Sequence, residues 1–229
     1  MYDIEFPGWS GLVRRTAALY DLPDPLDYMN HPWVPKRWRA HVREVVTNYW
    51  NTLLKEKASS QDSLRLLDLT NLSVSKPHPI WIHAGRDALS VKKTTIVSWI
   101  LLGVFQTGDR LHLMGKKDDP SCLLCTFSED SYLHMMLSCP SLQTIREDYL
   151  CQMVSICPQI INYLEFSKTL LIAIVDPSST KLPTEIREGW SDLSEAYRIG
   201  RNFTYAMYRK RKLLLEALAK KRAVQSNNQ

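Results

Sequence analysis

The sequence predicts a mainly α-helical protein that contains a small zinc motif. Three observations predict this architecture. Apolar residues recur at helical spacing along most of the chain, three cysteines and a histidine are clustered in its middle, and the final helical segment carries a large excess of positive charge. We therefore expect a helical platform, then the zinc motif, and then further helices of which the last is basic.

The composition indicates a soluble globular protein of one or two domains, since 45% of the 229 residues are hydrophobic and 23% are charged. The longest apolar stretch, residues 96–105, is shorter than the roughly 20 residues that a membrane span needs. The first residues lack the basic and apolar regions of a secretory signal. Five cysteines, an odd number, do not indicate a disulfide framework. We expect an intracellular protein of the nucleus or cytoplasm, with reduced thiols and no membrane contact.

The first half of the chain predicts two long helices. Residues 35–57 carry apolar side chains on one helical stripe, and Pro35 suits a first helical turn. The run Ser-Ser-Gln-Asp at 59–62 predicts a break and then a cap for a shorter helix. The Pro-rich segment 73–85 predicts a loop that excludes helix. Residues 87–106 predict the second long helix, which we expect to belong to the core.

Helical spacing returns after the cysteines, in residues 142–154, 164–175 and 185–222. The run Asp-Pro-Ser-Ser at 176–179 is a stop signal, so a boundary is expected near residue 180. The expected segments are a helical platform, a zinc motif, a helical segment, and a basic helix with a disordered tail, at residues 1–110, 111–146, 147–180 and 181–229 respectively.

Four soft or borderline metal ligands lie within one short span: Cys122, Cys125, His134 and Cys139. Tetrahedral zinc requires such a set, and a Cys-x-x-Cys turn can place both of its sulfurs on one ion. Asp130 or Ser131 can cap a short helix that presents the histidine. Because all four positions are protein ligands with no vacancy for water, the pattern favours a structural zinc site over a catalytic one.

Alternatives remain at the level of sequence. Buried cysteines and an unrelated histidine can fall close together without a metal, and His112 is a rival fourth ligand. Cys151 and Cys157 are interpreted as core residues on a helix. Three thiolates around a divalent cation leave a net negative charge, which is expected to attract nearby basic groups. The candidates are Lys116, Lys117 and Arg146.

The zinc ligands belong to a longer pattern. Around them stand Cys-Leu-Leu-Cys at 122–125, Glu-Asp-Ser-Tyr-Leu-His at 129–134, Leu-Ser-Cys-Pro at 137–140, and Arg146. Upstream stand Leu-Arg-Leu-Leu-Asp-Leu at 64–69, Lys-Pro-His-Pro-Ile-Trp at 76–81, and Val-Lys-Lys at 91–93. This pattern resembles the region downstream of the polymerase in reverse transcriptases of LINE-type (non-LTR) retrotransposons. The similarity extends more weakly to the helix around Trp50 and to Arg-Lys-Arg at 209–211, and so covers most of the chain.

The resemblance implies that the three cysteines and the histidine bind zinc, in a region that helps to hold RNA or target DNA during target-primed reverse transcription. The polymerase active site itself needs an aromatic residue and two aspartates on a tight hairpin. Here the adjacent pair Asp118 and Asp119 lies between lysines and a proline, which indicates a turn. Phosphate-binding loops, nucleophile elbows and His-Glu-x-x-His helices are missing from the sequence. We therefore expect no enzymatic activity in this chain.

Positive charge is concentrated between residues 197 and 222, where nine basic residues accompany a single acid, Glu216. Four interleaved aromatic residues could stack on exposed bases: Tyr197, Phe203, Tyr205 and Tyr208. RNA or DNA is the expected partner. The candidate contacts are Arg198, Arg201, Arg209, Lys210, Arg211, Lys212, Lys116 and Lys117.

Other interpretations of the same residues stay open. The basic segment could be a solvated helix face whose aromatic residues pack in the core. The chain could be a zinc-stabilised protein-interaction or scaffold module, or an inactive retroelement fragment. Finally, His78, Trp81 and His83 could form a binding corner, although a Pro-rich loop that fixes an aromatic residue against the core explains them equally.

Overall fold

The computed structural model of the protein describes residues 8–126 and 129–226. These residues are mainly helical and form no β-strand, so the predicted fold class is confirmed. An isolated antiparallel bridge joins Ser73 and Lys76. Among the described residues, no helix combines the length and the apolar character that crossing a membrane would require. The last residues of the expected disordered tail, 227–229, lie outside the described residues.

Internal contacts divide the chain into two compact units. The first contains the residues up to Ser60 together with Leu72–Lys76, and the second contains Gln61–Asn71 and all residues from Pro77. The expected platform 1–110 therefore contributes to both units. The divisions expected near residues 110, 146 and 180 fall inside the second unit.

The first unit contains three helices: α1 (Trp9–Leu19), α2 (Pro25–Asn30) and α3 (Pro35–Ser59). Proline stands in the first turn of both α2 and α3, where its missing N–H costs no helical hydrogen bond. The Asp24 side chain caps α2 by accepting a hydrogen bond from the Leu26 N–H at 2.8 Å. The long helix predicted at 35–57 is thus confirmed.

The second unit contains the remaining seven helices of the described residues: α4 (Pro79–Ile82), α5 (Ala88–Leu101), α6 (Gly108–Leu113), α7 (Gln143–Ile156), α8 (Ser167–Val175), α9 (Thr184–Gly189) and α10 (Leu193–Ser226). Short 3-10 turns occur at Asp62–Leu64, Pro140–Leu142 and Pro158–Tyr163, and a π-helical turn at His134–Ser138.

Several helical segments differ from the sequence-based expectation, and the shorter helix expected after residue 62 is only the 3-10 turn Asp62–Leu64. The segment expected to exclude helix contains α4, because Pro79 occupies a first-turn position, where proline is tolerated. The second long helix ends at Leu101 rather than near residue 106, since Gly103 adopts a left-handed conformation with φ of 61°. The helix expected at 185–222 is interrupted after Gly189, and α10 begins at Leu193. The side chain of Asp192 caps α10 by accepting a hydrogen bond from the Ser194 N–H at 2.8 Å.

Helix α10 is the central element of the second unit, and it packs against α5, α7 and α8. It buries Tyr197, Phe203 and Met207, and α8 is buried from Leu170 to Val175. Helices α8 and α10 approach so closely that a Cβ atom on Gly200 would lie 2.0 Å from the carbonyl oxygen of Ile174. Glycine is therefore required at this crossing.

Candidate metal centre

Local hydrogen bonds place the four predicted ligands. The turn that carries Cys122 and Cys125 is closed by a hydrogen bond of 2.8 Å from the Thr126 N–H to the Cys122 carbonyl. Ser131 Oγ accepts a hydrogen bond from the His134 N–H at 3.2 Å, which is one of the two capping contacts that the sequence suggested. Across the π-helical turn, the Cys139 N–H donates to the His134 carbonyl at 2.7 Å.

These local turns bring all four predicted ligands together, although Cys122 and Cys139 are 17 positions apart in the sequence. One ligand atom from each of Cys122, Cys125, His134 and Cys139 lies within 4.8 Å of the others. Cys125 Sγ lies 3.2 Å from His134 Nε2. A tetrahedral zinc ion with Zn–S bonds of about 2.3 Å separates two sulfurs by about 3.8 Å, so the cluster has the dimensions of a metal site. The Cys3His cluster could therefore hold a metal ion.

The rival ligand and the two remaining cysteines lie elsewhere. His112 Nδ1 is 3.0 Å from the Lys117 carbonyl oxygen, and His112 is not a member of the cluster. Cys157 is buried, as expected for a core residue, but Cys151 is exposed on α7. The prediction that Cys151 packs in the core was wrong, because its position on α7 faces away from the helices that bury Met153.

Burial strongly affects the protonation of the ligands. Cys122, His134 and Cys139 are buried, and Cys125 is half-buried. Burial, together with the neighbouring Cys122, raises the pKa of the Cys139 thiol to about 12. Burial also raises the pKa of the Cys122 thiol and lowers the pKa of His134. Clustered buried thiolates need a compensating charge, and a bound divalent cation supplies that charge and displaces the thiol protons.

Arg146 on α7 fixes the turn that carries His134 and Cys139. Its Nε donates to the Met136 carbonyl at 3.0 Å, and its Nη2 donates to the Cys139 carbonyl at 2.8 Å. Burial lowers the pKa of the Arg146 guanidinium. Of the other two basic residues expected near the motif, Lys117 Nζ donates to the Ser121 carbonyl at 2.7 Å, next to Cys122, and Lys116 is exposed.

Asp130 joins the segment that precedes His134 to two distant parts of the second unit. Its buried carboxylate accepts a hydrogen bond from the Gly108 N–H at the start of α6, at 2.8 Å. The same oxygen, Oδ2, lies 2.5 Å from Arg211 Nη2 on α10. The side chains of this ion pair are only 5% and 14% exposed, for Asp130 and Arg211 respectively. The sequence gives no local signal of this pair, since 81 positions separate the two residues.

Two of the arginines expected to contact nucleic acid are thus bound inside the protein. Arg211 pairs with Asp130, and Arg201 is 8% exposed and donates from Nη1 to the His83 carbonyl at 2.6 Å. Both guanidinium groups therefore have partners within the protein, and we expect neither to contact nucleic acid. Arg198 is exposed but forms an ion pair with Glu195.

Of the remaining candidate contacts, Lys116 and Lys117 precede Cys122 in the chain, and the other three lie on the surface of α10. Arg209 and Lys210 are exposed, and Lys212 is exposed with its Nζ 3.9 Å from the Glu216 carboxylate. Two of the four aromatic residues expected to stack on bases, Tyr197 and Phe203, are instead buried in the core. Only Tyr205 and Tyr208, which are half-buried, keep an accessible surface.

The histidines of the Pro-rich segment have internal partners, which favours the packing interpretation of that segment. His78 Nε2 lies 3.6 Å from the buried Asp176 carboxylate, and burial lowers the pKa of His78. The His83 ring stacks on Tyr197 with 4.6 Å between centroids. Trp81 is 41% exposed.

No protein-family model, curated protein or solved structure matches this chain.

We expect Cys122→Ser to remove the metal's contribution to folding. Because a structural metal site contributes its binding free energy to folding, roughly 10–16 kcal/mol in zinc-finger peptides, the free energy of unfolding should fall by several kcal/mol. Thermal unfolding, followed by circular dichroism with and without a chelator, measures the change. The chelator should destabilise the wild-type protein and leave the variant unaffected.

Cys151→Ser is the matched control for this experiment, because it removes an exposed thiol from the same unit. It should unfold like the wild-type protein and keep the sensitivity to the chelator. Equal behaviour of the two variants would contradict a metal centre at Cys122.

The Asp130–Arg211 pair predicts a non-additive effect on stability. Arg211→Gln leaves a buried carboxylate without its cation, so it should lower the free energy of unfolding by roughly 3 kcal/mol in urea denaturation. Adding Asp130→Asn removes that carboxylate's charge, and the double variant should be more stable than the sum of the single effects predicts. Additive losses would show that the two side chains do not interact in solution.

Proposed function

We propose that this chain is a zinc-stabilised nucleic-acid-binding segment without polymerase chemistry, of the kind that lies downstream of the polymerase in LINE-type non-LTR reverse transcriptases. The convergence of Cys122, Cys125, His134 and Cys139 on one small volume carries the proposal. Three observations support it: the ligand chemistry, the surface charge of α10, and the sequence pattern around the ligands.

The ligand set favours zinc. Three soft thiolates and one imidazole suit a tetrahedral Zn²⁺ ion, whereas Mg²⁺ and Ca²⁺ prefer oxygen ligands. Four protein ligands fill the coordination sphere and leave no position for an activated water, so the ion has a structural role. Arg146 and Asp130 connect its loops to α7 and α10, and the zinc thereby stabilises the surface that α10 presents.

The exposed basic residues of α10 favour a polyanionic partner. Arg209, Lys210 and the run Lys-Lys-Arg at 220–222 are exposed, and none of them has a carboxylate within 4.0 Å among the described residues. The one acid on this part of the helix, Glu216, lies near Lys212. A surface with several unneutralised cations attracts phosphates, and binding to phosphates releases counterions.

A second candidate function rests on the first unit. Leu12 and Met29 are 61% and 75% exposed, and both line an apolar groove with a volume of about 550 Å³ at α1, α2 and α3. These residues favour a protein partner for α1 to α3. A protein-interaction module would use this apolar surface rather than the cations of α10.

The proposal predicts a steep salt dependence of binding to RNA or DNA. If about five cations contact the phosphates of a single strand, the slope of log affinity against log salt concentration is about −3.5. Arg209→Gln with Lys210→Gln should weaken binding and make the slope shallower by about 1.4. Fluorescence anisotropy of labelled RNA and DNA oligonucleotides, titrated at several salt concentrations, measures both quantities.

Lys168→Gln with Arg187→Gln is the matched control, since it removes the same charge from exposed positions on α8 and α9. It should leave the affinity and the slope nearly unchanged. A flat salt dependence of the wild-type protein, or equal losses in both double variants, would refute the proposal. Intact nucleic-acid binding is also expected after substitution of the exposed apolar residues of the first unit.

A further inference from the structure

A cleft opens between α5 and α10 in the second unit. Its volume is about 650 Å³, which is within the size range of small-molecule sites. Trp99, which is 39% exposed, and the half-buried Tyr208 form its aromatic walls. Phe105 is buried and meets the Tyr208 ring edge-on, with 6.1 Å between the centroids. The walls thus offer flat apolar surfaces.

The charged groups in this cleft are largely neutralised. Arg211 also lines it, but its guanidinium pairs with Asp130. Lys212 and Glu216 lie at its edge, with 3.9 Å between Nζ and the carboxylate. A cleft with aromatic walls and balanced charge suits an uncharged aromatic group better than a phosphate.

Three cations surround Tyr205 outside the cleft, nearer to the start of α5. Lys92 Nζ, Lys93 Nζ and Arg209 Cζ lie 6.0, 5.9 and 5.9 Å from the centroid of the Tyr205 ring. Lys93 Nζ donates to Asn202 Oδ1 at 2.7 Å, which holds it in place. None of the three cations has a carboxylate within 4.0 Å among the residues that the structure describes. Like charges repel, so a bound anion would stabilise this arrangement.

The cation cluster and the cleft lie along the same junction of two helices. Lys92 and Trp99 are seven residues apart on α5, which places them on one helical face and separates them by roughly 10 Å along the axis. Tyr205 and Lys212 have the same spacing on α10. Contacts between α5 and α10 hold the two faces side by side. Cations therefore stand at one end of the junction and aromatic walls at the other.

We propose that the α5–α10 junction binds single-stranded nucleic acid, with a phosphate at the Tyr205 cations and an unpaired base in the Trp99 cleft. This inference rests on the proposed function and narrows it to one class of ligand and one site. A single strand supplies both groups, because its phosphates are charged and its bases can leave the stack. A duplex keeps each base between its neighbours, and its bases do not enter the cleft.

The test compares Trp99→Leu with Trp81→Leu in the full chain, because the two tryptophans have similar exposures of 39% and 41% and only Trp99 lines the cleft. The probes are a labelled single-stranded RNA, a single-stranded DNA and a duplex of the same sequence. Trp99→Leu should weaken single-strand binding about tenfold, because stacking on one aromatic side chain contributes that much or more. Trp81→Leu should leave the affinity unchanged.

Salt titrations separate the two ends of the junction. Trp99→Leu should leave the slope of log affinity against log salt unchanged, since stacking involves no phosphate. Lys92→Gln should make the slope shallower by about 0.7 for a single strand. Trp99→Phe, which keeps a flat ring, should recover most of the affinity, and thermal unfolding of each variant verifies that the fold is intact.

The possible failures are distinguishable. Steep, salt-dependent binding that is insensitive to Trp99→Leu, or duplex binding that is as tight as single-strand binding, would overturn this inference and leave the proposed function standing. A wild-type protein that binds no nucleic acid would overturn both, and the cleft would then require an occupant of another class.

Discussion

Three thiols and an imidazole converge in the second unit, where none of the four ligand atoms is more than 4.8 Å from another. Burial makes this arrangement costly for thiolates alone, as the raised pKa of Cys139 indicates. Arg146 on α7 holds one of the turns involved, and Asp130 joins the loop to α6 and α10. A metal ion at this position would therefore stabilise contacts well beyond its own ligands.

Local patterns could be predicted from the sequence, because they need only neighbouring residues. The helix at 35–57, the position of Pro35 and the spacing of the four ligands are of this kind. The roles of Arg201 and Arg211 could not be predicted, because their partners His83 and Asp130 are 118 and 81 positions away. A count of positive charges suggests that both guanidinium groups are free to bind a polyanion, whereas both have partners within the protein.

The same distinction decides which parts of α10 are available for binding. Tyr197 and Phe203 pack in the core, whereas Tyr205 and Arg209 face a junction with α5 that no local sequence pattern indicates. Trp99 lies on that junction, two helical turns from Lys92. The apolar spacing of residues 87–106 predicted only that this helix belongs to the core. In the proposed account, Arg211 connects α10 to the metal centre by pairing with Asp130, and Tyr208 on the same helix lines the cleft that binds a base. One helix then contributes both to the stability of the fold and to recognition of the ligand.

The most direct test of this account is the metal content of the full chain, purified without added metal and analysed by native mass spectrometry alongside elemental analysis. The account predicts one zinc ion per chain, bound with the loss of thiol protons and released on acidification. Protein that folds cooperatively without any bound metal, and gains none when zinc is supplied, would contradict it.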